Sequence, residues 1–160
     1  LEGKILIVDF FFTRCGTICP RMSAHMRELL HLQLTTVDGY GDIVFLSHTV
    51  DPEHDSAEVL ANYAREYSAD TARWKFVTGD KEALYTQGSE GYLLAAKEDV
   101  LAPGGFLHSE NFVLVDKRRH IRGFYDGTDP AKVKELVTDA KMLMGEERKR
   151  VRLEKEKHEQ

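Results

Sequence analysis

Cys15 and Cys19 are the only cysteines in the chain, separated by Gly16-Thr17-Ile18 and followed at once by Pro20. Proline fits the first turn of a helix, where its missing N–H costs nothing. The pair therefore sits where a helix begins. There the unpaired backbone N–H groups and the positive end of the helix favour a thiolate over a thiol. Three intervening residues let the sulfurs approach with more room than a C-x-x-C turn allows. Such a pair can close as a disulfide or hold a soft cation between two thiolates. The bland alternative is two inert cysteines in a core, since Cys is among the most buried residue types. Their shared place on one strand-to-helix connection argues for chemistry.

Two thiolates leave Cu(I) or Zn(II) short of donors, so a third is sought among seven histidines. His25 and His31 lie on one helix about 240° apart and cannot share a face. His54 and His120 fall in turns, and His158 lies in the charged tail; all five are expected to be solvated or capping residues. His108 follows the Pro103-Gly104-Gly105 loop and precedes the strand beginning at Asn111. His48, three residues before Asp51 and near the end of a strand, is its competitor and a candidate neighbour of the site.

The elements that must position these groups follow from periodicity. Residues 4–12 (KILIVDFFF) form an almost unbroken apolar run rich in branched and aromatic side chains, the pattern of a buried central strand. The helix opened by Pro20 carries Met22, Met26, Leu29, Leu30 and Leu34, and Gly39 and Gly41 interrupt the chain after it. A second buried strand covers 43–50. Asp55 or Ser56 caps a helix with Val59, Leu60, Tyr63 and Ala64 on its apolar face. A short strand at 74–78 leads to a helix capped by Asp80 and running to about Leu94. Residues 97–107 read as a loop. Strands 111–116 and 119–126 form a hairpin turning at Lys117-Arg118, and Asp129-Pro130 opens the last helix. The order β-α-β-α-β-α-β-β-α predicts an α/β three-layer sandwich, a central mixed sheet with helices on both faces, which suits a thioredoxin-like fold.

The 160 residues suffice for one domain, taken as 1–145, with 146–160 a charged helical extension or tail. A 42% apolar share with 31% charged residues is that of a folded protein. With 22 basic and 27 acidic residues the net charge is −5, and no basic run is interleaved with aromatics, so a nucleic-acid partner is not expected. No apolar stretch reaches the roughly 18 residues needed to cross a bilayer. The sequence runs from Leu1-Glu2-Gly3 straight into a strand, as a chain relieved of an N-terminal leader or anchor would; any membrane attachment is expected through such a segment.

The segments DFFFTRCGTICPRM (9–22), TVDPEHDSAEVLANYA (49–64), WKFVTGD (74–80) and HSENFVLVDKRRHIRGFYDGTDP (108–130) resemble the Sco/SenC family of copper chaperones. The resemblance runs from Lys4 to about Met144. It implies a thioredoxin-like domain tethered to a membrane and facing the periplasm or another extracytoplasmic space. It implies one copper, Cu(I) or Cu(II), held by Cys15, Cys19 and His108, with Asp51 of the DP dipeptide near the metal. The implied partner is the CuA-bearing subunit of cytochrome c oxidase or another copper acceptor. Three positions depart from the family pattern: Gly16 replaces a frequent proline, Leu107 replaces an acidic residue found in some members, and His48 stands where an apolar residue is usual.

Other readings are weaker. A thiol–disulfide oxidoreductase would need only the dithiol. Against it, His108 stands where thioredoxins commonly place a proline. Thr13 suggests a peroxiredoxin-like peroxidase, but its spacing to Cys15 and the absence of an upstream proline count against that. A structural zinc normally takes four protein ligands, and three are in view.

Overall fold

A computed structural model describes residues 1–37, 40–99 and 101–158. Gly39 lies outside the described residues, as do the side chains of Pro103, Leu107 and His158. The first strand, β1 (Ile5–Phe11), is buried along its whole length. Helix α1 (Ile18–His25) continues through a π-helical stretch, Met26–His31, into the closing turn α2 (Leu32–Leu34). Then come β2 (Ile43–Thr49), α3 (Ala57–Glu66), β3 (Trp74–Val77) and α4 (Lys81–Thr86), the last extended by a π-helical turn, Gln87–Gly91. Short strands β4 (Ala96–Glu98) and β5 (Phe106–His108) precede β6 (Asn111–Val115), β7 (Ile121–Asp126) and the long helix α5 (Pro130–His158).

The main sheet has the order β3-β2-β1-β6-β7. β1, β2 and β3 run parallel, and β6 and β7 are antiparallel additions on the other side of β1. With β1 in the middle, both of its faces must be covered, and alternate residues feed two cores. Ile5 and Ile7 join Met22, Met26, Leu30 and Leu34 of the first helix and Val133, Leu136 and Ala140 of α5. Leu6, Val8 and Phe10 face the opposite way, into a second core with Val44, Leu46, Tyr63, Tyr92 and both cysteines. This is the expected mixed sheet with helices on both faces.

Local signals placed most elements. Ser56 rather than Asp55 caps α3, its hydroxyl accepting from the Val59 N–H at 3.3 Å. Asp80 caps α4 through the Ala83 N–H at 2.9 Å. Three expectations need correction. The first helix starts at Ile18, two residues before Pro20, so Cys19 lies inside its first turn. Residues 97–107 are not all loop: β4 and β5 pair antiparallel, Ala96 opposite His108 and Glu98 opposite Phe106. The three-residue arms flanking Pro103-Gly104-Gly105 are too short to carry a period-two pattern. Third, His25 and His31 are half-buried and bonded. His25 Nδ1 donates to the Gly127 carbonyl at 2.8 Å, and His31 Nδ1 lies 2.6 Å from the Tyr40 hydroxyl. His54 and His120 are exposed in turns, as expected. Among the described residues no helix is long and apolar enough to cross a membrane.

Candidate metal centre

Three elements converge above the carboxyl end of β1, where open α/β sheets commonly place their sites. Cys15 lies on the connection leaving β1, Cys19 in the first turn of α1, and His108 at the end of β5. One donor atom from each lies within 4.8 Å of the other two, and all three residues are buried. The cysteines are free thiols.

The imidazole is held from two sides. Its Nδ1 lies 3.1 Å from the Ser109 carbonyl. A carbonyl only accepts, so Nδ1 carries the proton and Nε2 presents a lone pair to the site. Nε2 lies 3.1 Å from Cys19 Sγ. This tautomer is the one a metal needs, and a backbone acceptor is a usual way of fixing it. On the other side Phe12 meets the His108 ring edge-on at 5.8 Å and the Phe106 ring at 5.1 Å. Gly104, at φ +78°, lets the hairpin tip lie against Phe12: a Cβ there would come within 2.7 Å of the phenyl ring. Ser109 N–H bonds to the Ala95 carbonyl at 2.8 Å, and Lys81 pairs with Glu98, tying the hairpin to α4.

The two sulfurs are electrostatically unequal. The neighbouring Cys19 thiol, with help from His108 and Thr17, holds Cys15 far below the ordinary thiol range against the opposing effect of burial. The Cys15 thiolate and burial push Cys19 far up. One proton is thus kept preferentially on Cys19, the arrangement of a dithiol ready to attack a disulfide or exchange its last proton for a cation. Thr17, the residue before α1, makes no side-chain cap; its hydroxyl lies 3.5 Å from Cys15 Sγ instead. Gly16 is not in the left-handed region and has nothing within 4 Å of where a Cβ would stand. The loop does not need glycine there.

Asp51 and His48 are not among the converging donors. Asp51 Oδ2 accepts from Arg14 Nη2 at 2.6 Å, so its carboxylate steadies the residue next to Cys15. His48 Cα stands opposite Phe10 in the β1–β2 ladder, and its ring stacks on the Phe10 ring at 5.1 Å.

Two acidic residues near the site carry roles the sequence did not reveal. Asp55, wholly buried, accepts from the Thr13 N–H at 3.1 Å, the Thr13 hydroxyl, and the Thr49 hydroxyl at 2.6 Å. It clamps the start of the cysteine loop to the end of β2, and Thr13 is committed to that clamp. Asp9, in the apolar run of β1, is also buried; Ser47 donates to it at 2.5 Å, and the Trp74 indole N–H donates to Ser47 at 2.9 Å. Burial pushes the Asp9 carboxyl up to about 6, opposed by the Ser47 bond and by the field of His108. A lone acid inside KILIVDFFF leaves the strand pattern intact and gives no sign of its partners.

Residues 1–145 match the SCO1/SenC family. The SCO1 protein homolog of Bacillus subtilis (strain 168) is 32% identical over 147 residues, covering 88% of this chain and 72% of that protein. The structure of BsSco superposes with a TM-score of 0.74 at 28% identity, covering 90% of this chain and 82% of that one. It is described as carrying a disulfide switch and as a member of the Sco family of cytochrome c oxidase assembly proteins. ScoI of Arabidopsis thaliana, solved with copper bound, shares the fold at a TM-score of 0.72 and 22% identity, covering 91% of this chain and 87% of that one. The thioredoxin-like fold, the convergent Cys-Cys-His site and the match across nine-tenths of the sequence agree, and this chain belongs to the SCO1/SenC family.

Proposed function

We propose that this chain is a copper chaperone that binds one copper ion through Cys15, Cys19 and His108 and delivers it to the CuA-bearing subunit of cytochrome c oxidase or another copper acceptor. The observation that carries the reading is the convergence of two sulfurs and an imidazole whose Nδ1 is already committed to the Ser109 carbonyl. Two thiolates suit Cu(I), and adding an imidazole nitrogen suits Cu(II), so one donor set serves both oxidation states. Asp51 acts through Arg14, as a neighbour of the site. Residues 1–145 are the copper-binding unit and 146–160 a charged extension. The working compartment is extracytoplasmic, with attachment to a membrane through a segment preceding Leu1. Free thiols in an oxidising compartment must be kept reduced to accept metal.

Copper titration of the reduced protein, followed by sulfur-to-copper charge-transfer absorbance, tests the ligand set. Cys15→Ala and Cys19→Ala are each expected to abolish tight binding, and His108→Ala to weaken Cu(II) much more than His48→Ala does. Wild-type stoichiometry in a single cysteine variant would sink the proposal, as would a His48 variant weaker than the His108 one.

A second reading, thiol–disulfide oxidoreductase, draws on the depressed Cys15 thiol beside a protonated Cys19. The two part in cells: His108→Ala with both cysteines intact should fail to support CuA assembly in a chaperone and succeed in a reductase.

A further inference from the structure

Helix α5 runs on past the body it packs against, and its charges are sorted by flank. At about 100° per residue, the buried Val133, Leu136, Ala140, Leu143, Met144 and Glu147 share one face. Lys134, Lys141, Arg148 and Lys155 recur every seventh residue, a spacing that drifts by only about 20° per repeat on a straight helix. Arg152 falls in the same sector. All five are exposed, and from Lys134 to Lys155 the row covers about 31 Å of helix axis.

The acids of the helix lie mostly elsewhere. Glu135, Asp139 and Glu146 occupy the opposite flank, where Asp139 accepts from the Tyr125 hydroxyl at 2.7 Å and Glu146 pairs with Arg122 at 3.0 Å. Two cations off the row are neutralised within the helix, Lys132 by Glu135 at 2.7 Å and Arg150 by Glu147 at 2.5 Å. In the row, Arg152 meets Glu156 at 2.8 Å. Lys134 and Lys141 have no acid three or four residues away in either direction, the spacings at which helical side chains face each other. The net charge of −5 makes the chain as a whole repel an anionic surface, so attraction to one must come from this row.

What the row lacks points to what it meets. The exposed residues beside the lysines are the small Thr138 and Gly145, and nothing lies within 4 Å of where a Gly145 Cβ would stand. A protein interface relies on desolvated aromatic and Arg anchors and is poor in Lys. Single-stranded nucleic acid calls for stacking aromatics, and the row has none. Long, flexible cations on a flank without anchors suit a diffuse, two-dimensional array of negative charge.

We propose that this flank of α5 rests on the anionic phospholipid headgroups of a bilayer surface, with the helix parallel to the membrane plane. The attraction is electrostatic and reversible. The row shares no residue with the metal centre, so its test is separate from copper binding.

The metal-free chain is sedimented with vesicles of phosphatidylglycerol and phosphatidylcholine in equal parts, and with vesicles of phosphatidylcholine alone. Binding to the anionic vesicles only is expected, and it should be lost at about 1 M salt, where the screening length falls to about 3 Å. A cation close to an anionic membrane contributes about fivefold in affinity, so the double variant Lys134→Gln, Lys141→Gln should bind about 25-fold more weakly. The double variant Lys132→Gln, Lys157→Gln removes the same charge from the opposite flank of the same helix and should lose less than about threefold. Glutamine forms helix nearly as well as lysine, so neither pair disturbs α5. Equal losses in the two variants would reduce the attraction to net charge and overturn the proposal. So would failure of the wild-type chain to bind the anionic vesicles, or equal binding to the neutral ones. Tighter binding to polyglutamate than to anionic vesicles at equal charge would make the partner an acidic polypeptide and likewise overturn it.

Discussion

Gly104→Ala isolates the device that seats His108. The residue sits at φ +78°, a conformation costing an ordinary L-residue roughly 1–2 kcal/mol. The new methyl would also lie 2.7 Å from the Phe12 ring, which is 2% exposed and packed against Phe106 and His108. Moving a buried ring to admit one carbon costs about 1–3 kcal/mol. The sum is about 2–5 kcal/mol, and the strain falls on the contact that orients the imidazole. Two glycines of the same two loops serve as controls. Gly105, at φ +86° with open space around it, should lose only the conformational part, about 1–2 kcal/mol, as alanine. Gly16, unstrained and open, should change by less than about 0.5 kcal/mol. Urea unfolding gives the stabilities, and competition titration with Cu(II) gives the site. Gly104→Ala should be the least stable of the three, with a Cu(II) affinity approaching that of His108→Ala. If it matches Gly105→Ala in both measurements, the approach to Phe12 is not what places His108.

Asp9→Asn keeps an acceptor for Ser47 and removes the ionisation. Because the folded carboxyl is raised from 3.8 to about 6, its contribution to stability is full below about pH 4 and lost as pH rises through about 6. The variant should therefore lack that loss and gain about 2 kcal/mol relative to wild type at pH 7.5 over its difference at pH 4, read from urea unfolding at both pH values. A difference unchanged with pH would refute the buried-acid account. Asp55→Ala removes three hydrogen bonds at one carboxylate, two of them from Thr13. A loss of about 3 kcal/mol or more is expected in the same assay, together with weaker copper binding as the cysteine loop loosens; a change under about 0.5 kcal/mol would mean the clamp carries no strain.

The parts of the site that are local in the chain were legible from the residues alone. A buried strand, a short connection and a proline in the first turn place Cys15 and Cys19 together whatever the rest of the chain does, because strand and helix signals repeat over a few residues. The same locality made the Asp80 and Ser56 caps and the β6–β7 hairpin legible, and the motifs from Asp9 to Pro130 were enough to suggest the family. His108 was legible only as the better of two histidines. Which of His48 and His108 reaches the sulfurs depends on strands more than forty residues apart: β2 turns His48 into the second core beside Phe10, while a two-stranded hairpin without a pattern of its own swings His108 over the end of β1. Asp9 and Asp55 became meaningful only when burial was known, since a carboxylate's role is set by what surrounds it.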